Sequence, residues 1–135
     1  MKNPQELFFN LAYNLALVAY KLDEVPVGAV IIKDDTYELV SSGYNQMRSN
    51  KSSLDHAEML ALRSAMSRLN QERLIGCSMI TTLEPCPMCA QAISYARLSS
   101  VSFSAEDVKS GGILHGPRIF DSSSCHHKPD VIRYD

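Results

Sequence analysis

Residues 77–89 read CSMITTLEPCPMC, an apolar run followed directly by two cysteines three positions apart, each preceded by a proline. The apolar part, CSMITTLE, predicts a buried strand. Pro85 favours extended backbone before it, so the strand ends there, and Pro87 suits the first turn of a helix. Cys86 and Cys89 therefore lie at a predicted helix N-terminus, where the dipole and free N–H groups favour thiolates over thiols.

The chain before this junction predicts a helix, a hairpin and a second helix. The first helix is expected to pack on a sheet through an apolar stripe at helical spacing. The stripe comprises Leu7, Leu11, Leu15, Val18 and Leu22, flanked by Ala12, Ala16 and Ala19. The runs VGAVIIK and YELVSSGYN, on either side of a turn at Asp34 and Asp35, predict an antiparallel hairpin. The second helix, with Asp55 or Ser53 as its expected cap, ends near Asn70.

The chain after the junction predicts a helix from Pro87, a strand at SSVSFSA and a short last strand at 130–133. Strands and helices alternate in this half, which predicts parallel strands joined by crossover helices. No linker, repeat or low-complexity segment interrupts the pattern. We therefore expect the whole chain, 1–135, to form one three-layer α/β domain.

The composition is typical of a globular protein with a real core, at 45% apolar and 21% charged residues. A net charge of -2 and a pI near 6.1 argue against a general nucleic-acid coat protein, which needs clustered Lys and Arg. Asn10 and Asn14 interrupt the apolar N-terminal stretch, so we expect neither a signal peptide nor a membrane span. In the cytoplasm, the expected location, a Cys-x-x-Cys pair serves metal binding or catalysis.

The sequence His-Ala-Glu supplies the remaining parts of a metal site. His56 lies thirty residues before Cys86, and this stretch is long enough for one helix and one strand. The helices that begin at His56 and Cys86 should therefore start at the same edge of the sheet. His56, Cys86 and Cys89 would provide three ligands to zinc and leave the fourth tetrahedral position for water, as in catalytic zinc sites. Glu58 is the expected base for a proton of that water.

Two other uses of the cysteine pair fit parts of the pattern. A thioredoxin-like redox pair leaves His56 and Glu58 without a role. A closed structural zinc needs a fourth protein ligand, and its candidates are His115, Cys125, His126 and His127. The sequence assigns no separate role to these four residues or to Cys77.

His-x-Glu followed by Pro-Cys-x-x-Cys is the signature of zinc nucleobase deaminases. The stretches EVPVGAVI, GYN, HAEMLALRSA, TLEPCPMCAQAI and AEDVKSGG together resemble the bacterial tRNA-specific adenosine deaminases, from about Glu6 to Ile132. The resemblance implies a cytidine-deaminase-like α/β/α fold with a central mixed five-stranded sheet. It also implies one Zn²⁺ per subunit, a homodimer, and hydrolysis of the wobble adenosine in a tRNA anticodon loop to inosine.

The resemblance further implies roles for single residues. A zinc-activated water attacks an amino-bearing ring carbon while Glu58 moves protons to the ring nitrogen and to the leaving ammonia. Asn45 reads the flipped base, and the backbone N–H of Ala57 faces the exocyclic group. Asp107 lies beside the bound nucleotide, where it can accept from a ribose hydroxyl, and Val27 lines the base pocket. Without the resemblance, Asn45 is a turn residue and Asp107 a helix cap.

Two features differ from the family pattern, and a third, the pI near 6.1, is unfavourable for a tRNA-binding protein. The segment SSLD before the metal histidine puts the charge of Asp55 beside the site, and the chain ends at Asp135 without the basic C-terminal helix typical of the family. Deamination of a free base or nucleoside of the guanine, cytosine or adenine type is therefore the alternative on the same scaffold. A non-catalytic zinc module that binds RNA or a partner is the alternative from another class, and Glu58 argues against it.

Overall fold

The computed structural model describes residues 3–134. Its helices are α1 (Pro4–Lys21), α2 (Ala57–Leu69) and α3 (Pro87–Tyr95). Its strands are β1 (Gly28–Lys33), β2 (Leu39–Tyr44), β3 (Cys77–Leu83), β4 (Ser100–Ala105) and β5 (Asp130–Arg133). A short 3₁₀ helix, Ile119–Asp121, lies in the long connection between β4 and β5.

The five strands form one mixed sheet in the order β2-β1-β3-β4-β5. Strand β1 is antiparallel to both β2 and β3, whereas β3, β4 and β5 are parallel. The predicted hairpin and the crossover through α3 are both present. Because of these directions, the C-terminal ends of β2, β3 and β4 lie at one edge of the sheet, together with the start of β1.

Helices cover the sheet on both faces. The larger core lies between the sheet and the pair α2 and α3, and its largest fully buried side chains include Phe103, Ile31, Met79 and Ile93. A smaller cluster on the other face joins Phe9 of α1 to Val30, Ile32 and Ile80. The predicted three-layer α/β/α fold with a mixed five-stranded sheet is thereby confirmed. No helix within residues 3–134 has the length and apolar character needed to cross a membrane.

Helix α1 packs on the sheet through the predicted stripe, but the alanines form its centre, and the prediction was wrong for Leu7, Val18 and Leu22. The buried residues of α1 are Phe9, Ala12, Ala16 and Ala19, whereas Leu7, Val18 and Leu22 are exposed. The reason is a close approach of the helix to Gly28, where a Cβ would overlap the carbonyl oxygen of Ala12. Alanine fits at this close approach, and the half-buried Leu11 and Leu15 pack beside it against the cluster around Phe9.

The close contact predicts a large penalty for added volume at Ala12. We expect Ala12→Leu to lower the free energy of unfolding by about 1–3 kcal/mol, because overpacking forces backbone shifts. The matched control is Asn14→Leu, which adds the same side chain at an exposed position of the helix and should change stability by less than about 0.5 kcal/mol. Urea unfolding of the two variants measures this, and equal losses would contradict the packing described.

Candidate active site

Two helix starts form the centre of the site. His56 is the N-cap of α2 and Cys86 is the N-cap of α3; both have extended backbone, and neither side chain caps its own helix. The predicted cap at Asp55 or Ser53 is therefore wrong. Asp55 instead accepts a hydrogen bond from Asn50 at 2.9 Å, within the loop before the helix. Both N-cap side chains are free to point away from their helices and towards each other.

The three predicted metal ligands come together at this point. His56 Nδ1 lies 3.5 Å from Cys86 Sγ and 3.6 Å from Cys89 Sγ, and the three donor atoms all lie within 4.8 Å of one another. Tetrahedral zinc with ordinary bond lengths sets neighbouring nitrogen and sulfur donors about 3.6 Å apart. One imidazole and two thiolates are also the donors that zinc prefers. The cluster therefore fits zinc in both spacing and chemistry.

The other histidines and cysteines lie away from this cluster, and three of them have partners of their own. His115 Nδ1 lies 2.8 Å from Glu84, Cys125 Sγ lies 3.3 Å from the Ser94 hydroxyl, and His127 Nε2 donates to a backbone carbonyl. Cys77 is buried at the start of β3, and His126 is exposed. Within residues 3–134, His56, Cys86 and Cys89 are the only grouping of candidate metal ligands. The closed structural zinc thus lacks a fourth protein ligand in the described part of the chain.

Before metal binds, electrostatics at the cluster favour one ionised thiol and one protonated thiol, and they raise the pKa of the neighbouring Glu58 carboxyl. A hydrogen bond from the Cys89 side chain lowers the pKa of Cys86 to about 5, and the same interaction, with burial, raises the pKa of Cys89. Burial raises the pKa of Glu58 to about 7, although a hydrogen bond from its own backbone N–H opposes the rise. Metal binding to such a pair releases the remaining thiol proton.

A cavity of about 210 Å³ opens beside the metal ligands. Glu58 lies in its wall with the four residues predicted to contact substrate, Val27, Asn45, Ala57 and Asp107. The cavity is smaller than the about 300–1,000 Å³ typical of pockets for drug-sized ligands, so it suits one flat ring system. The structure thus brings all these residues together in one pocket, next to the cluster that fits zinc.

Asn45 has an unmet hydrogen-bonding need in this cavity. The residue is 4% exposed, and its side-chain oxygen is buried with no partner among residues 3–134. An unpartnered buried acceptor costs about 1–3 kcal/mol. A donor group on a ligand in the cavity would offset that cost, which is consistent with a substrate contact at Asn45.

Two buried glutamates that the sequence analysis missed support the cavity walls. Glu24 accepts hydrogen bonds from the backbone N–H groups of Arg48 and Ser49, at 3.0 and 2.7 Å, and so holds the loop that carries Met47 into the wall. Glu84 holds the segment after β4 in a similar way. Each glutamate lies directly before a Val-Pro or Pro-Cys sequence of the site, but this position alone did not reveal its role.

The chain is similar in sequence to known deaminases. The family described as the cytidine and deoxycytidylate deaminase zinc-binding region matches residues 2–105. The tRNA-specific adenosine deaminase of Agrobacterium fabrum is 42% identical over 124 residues, which are 92% of this chain and 80% of the relative. The match therefore extends well beyond the two metal-binding motifs.

Solved structures show the same likeness. A structure from a study of A-to-I editing by tRNA:A34 deaminases at the wobble position of transfer RNA has a TM-score of 0.90 and 41% identity, covering 93% of this chain and 90% of that chain. The X-ray structure of guanine deaminase from Bacillus subtilis has a TM-score of 0.71 and 36% identity, covering 78% of this chain and 66% of that chain. The similarity to the tRNA deaminase thus covers more of both chains.

The Glu24 contacts predict a pH-dependent contribution to stability. Burial raises the pKa of Glu24, but its hydrogen bonds from Arg48 and Ser49 outweigh burial and hold the pKa below the ordinary value of 4.5. A lowered pKa in the folded state means that the contribution is complete above pH 4.5 and is lost as the pH falls further. We expect Glu24→Gln to be less stable than wild type at pH 7, and the difference to shrink below about pH 4.5.

Urea unfolding of the zinc-loaded proteins across this pH range measures the difference. Zinc release at low pH affects both proteins and largely cancels between them. Glu72→Gln, at an exposed position, is the matched control and should show no such trend. A stability difference that stays constant down to pH 3.5 would contradict the role of the Glu24 carboxylate.

Proposed function

The chain belongs to the tRNA-specific adenosine deaminases, within the cytidine and deoxycytidylate deaminase zinc-binding family, and we propose that it converts the wobble adenosine of a tRNA to inosine. The predicted family, the deaminase class and the zinc cofactor are confirmed by the matches in sequence and structure. One observation carries the assignment of substrate: the likeness to the tRNA:A34 deaminase structure extends over nearly the whole of both chains.

The residues of the site divide the work of hydrolytic deamination. His56, Cys86 and Cys89 would hold Zn²⁺, which supplies a Lewis acid that makes a water nucleophilic at neutral pH. Glu58 is buried in the first turn of α2 and lines the same cavity. Its carboxylate takes a proton from the attacking water and passes protons to the ring nitrogen and then to the departing ammonia.

The cavity wall orients the base for this proton transfer. Asn45 brings a side-chain donor and the unpartnered acceptor to the purine edge. The N–H of Ala57 belongs to the first turn of α2, where backbone N–H groups have no helical partner. In the proposed complex this N–H faces the exocyclic group. Val27 packs against the ring. Asp107 uses one carboxylate oxygen for the N–H of Ser110, at 2.9 Å, which leaves the other for a ribose hydroxyl.

The substrate and assembly follow from the family. We propose that the enzyme is a cytoplasmic homodimer that takes a looped-out nucleotide of the anticodon loop. A base that leaves its stack enters such a pocket at a cost of a few kcal/mol, which contacts on either side must offset. Exposed cations flank two segments of the cavity wall, and they are suited to neighbouring phosphates. These residues are Arg48, Lys51 and Lys109.

Deamination of a free base is the second candidate. The guanine deaminase of Bacillus subtilis shares the fold and 36% of the aligned residues. The chemistry at Glu58 and the metal ligands would be the same for such a substrate. The two functions differ in what the rim of the cavity must admit and, for guanine, in how the base lies in the pocket, because its amino group is on C2 and that of adenine is on C6.

A product assay separates the two candidates. Zinc-loaded protein is given an anticodon stem-loop with adenosine at the wobble position and, separately, a panel of free bases and nucleosides that includes guanine. We expect inosine in the stem-loop and no change in the panel, read by mass spectrometry. Turnover of a free base with unchanged RNA would replace the proposed substrate. Native mass spectrometry of the same sample should show two chains of 15.0 kDa each.

The proposed proton transfer predicts the effect of Glu58→Gln. The amide fills the same space but cannot accept a proton, so turnover should fall by about 10²–10⁴-fold. Zinc content, by elemental analysis, and the unfolding midpoint should remain close to wild type. Glu72→Gln is the exposed control and should keep full activity. An active Glu58→Gln enzyme would contradict this role, and RNA binding without turnover in wild type would favour a non-catalytic module.

A further inference from the structure

A fully buried carboxylate anchors the segment that follows β4. Glu84 is 2% exposed and lies at the end of β3, two residues before Cys86. Its two oxygens accept hydrogen bonds from four backbone N–H groups of one segment. The donors are Asp107 at 3.1 Å, Ile113 at 3.1 Å, Leu114 at 2.9 Å and His115 at 3.2 Å. The segment 107–115 is therefore wrapped around a single side chain.

The same segment packs closely on the turn that holds the metal ligands. The N–H of Gly112 donates to the carbonyl oxygen of Pro85 at 2.8 Å. A Cβ at Gly112 would lie 2.5 Å from the nitrogen of Pro87, and a Cβ at Gly111 would overlap the Glu84 carboxylate. Two consecutive glycines thus allow the segment to lie directly against both the anchor and the Cys86 turn.

The side chain of His115 completes the anchor. Its Nδ1 lies 2.8 Å from Glu84 Oε1, and its Nε2 lies 3.6 Å from Glu106 Oε1. Glu106 also contacts Arg133 Nε of β5, at 3.2 Å. His115 is the one side chain that donates to Glu84 among residues 3–134, and it links Glu84 to Glu106, the residue directly before the segment.

The segment brings two residues to the base cavity. Asp107 and Ser110 both line the cavity, and the Asp107 side chain accepts the N–H of Ser110. Both residues belong to the segment 107–115 and neither lies in a helix or strand, so the contacts that hold the segment also fix their positions. Movement of the segment would shift this wall while leaving His56 and Glu58, which belong to the start of α2, in place.

We propose that His115 is a positioning residue of the deaminase: through Glu84 it holds the segment 107–115 in place and so sets the wall that contacts the bound nucleotide. The inference deepens the proposed function and rests on it for the identity of the substrate. His115 is neither a metal ligand nor a residue of the cavity wall, so its effect on the reaction passes through the two carboxylates it contacts, Glu84 and Glu106, and through the segment.

Two variants of His115 whose new side chains are nearly isosteric with each other test the proposal. His115→Asn keeps a donor at the place of Nδ1, whereas His115→Leu fills similar space without one. We expect His115→Leu to speed hydrogen exchange of the amides at 113–115 and to raise KM for the stem-loop by about tenfold or more, since a hydrogen bond to a charged group is lost. Its kcat should stay within about threefold, because lost ground-state contacts act on KM. His115→Asn should restore both values towards wild type.

Controls separate positioning from general damage. His126→Ala removes an exposed histidine and should change neither hydrogen exchange at 113–115 nor KM. Zinc content should stay at wild-type level in every variant. If His115→Leu does not fold, His115→Ala replaces it, since alanine removes the donor without adding apolar volume.

Three outcomes would overturn the proposal. One is unchanged exchange and KM in His115→Leu. Another is a loss of kcat in step with zinc, which would make His115 a support of the metal turn instead. The third is a His115→Asn variant as impaired as the leucine variant. Hydrogen exchange needs no substrate, so a wild-type enzyme inactive on the stem-loop would count against the proposed function and leave the ordering of the segment readable.

Discussion

Strands β2 and β3 run in the same direction on either side of β1, so the helices that follow them both start at one edge of the sheet. The ligand His56 is the N-cap of one helix, and Cys86 is the N-cap of the other. The metal cluster is therefore a consequence of sheet topology, and the cavity beside it is the gap between the two helix starts.

Both helices give up an ordinary N-cap at this place. A capping side chain contributes about 0.5–2 kcal/mol to a helix, and here the cap positions are used for metal ligands instead. Zinc binding in small zinc-finger peptides contributes about 10–16 kcal/mol, so a bound metal can offset the loss several times over. The arrangement also leaves the N–H groups of each first turn free for thiolates and substrate. Function and stability are thus coupled at the same few residues.

Buried glutamates extend this design to the walls of the cavity. Glu24 and Glu84 each gather backbone N–H groups from a loop that has no regular structure of its own. A loop held in this way needs no helix or strand to keep its position. The substrate-facing residues Asn45 and Asp107 lie beside these loops, so the shape of the pocket depends on two carboxylates that touch no metal.

Most of the fold and the metal cluster could be predicted from the sequence, because apolar periodicity and the two motifs are local signals. The strand-to-helix junction at Pro85 and Pro87 gave the position of the cysteines, and the one-helix spacing gave the position of His56. Long-range packing was not predictable in the same way. The alanine face of α1 follows from its closeness to Gly28, and Glu84 is an anchor only because a segment more than twenty residues later wraps around it.

Zinc K-edge X-ray absorption of the zinc-loaded protein tests the open metal site most directly. We expect two sulfur ligands at about 2.3 Å and two lighter ligands at about 2.0–2.1 Å, with outer-shell scattering from a single imidazole. One of the two light ligands then comes from outside the protein, as catalysis requires. A third sulfur or a second imidazole would mean that the site is closed by the protein, which would contradict a hydrolytic centre at His56, Cys86 and Cys89.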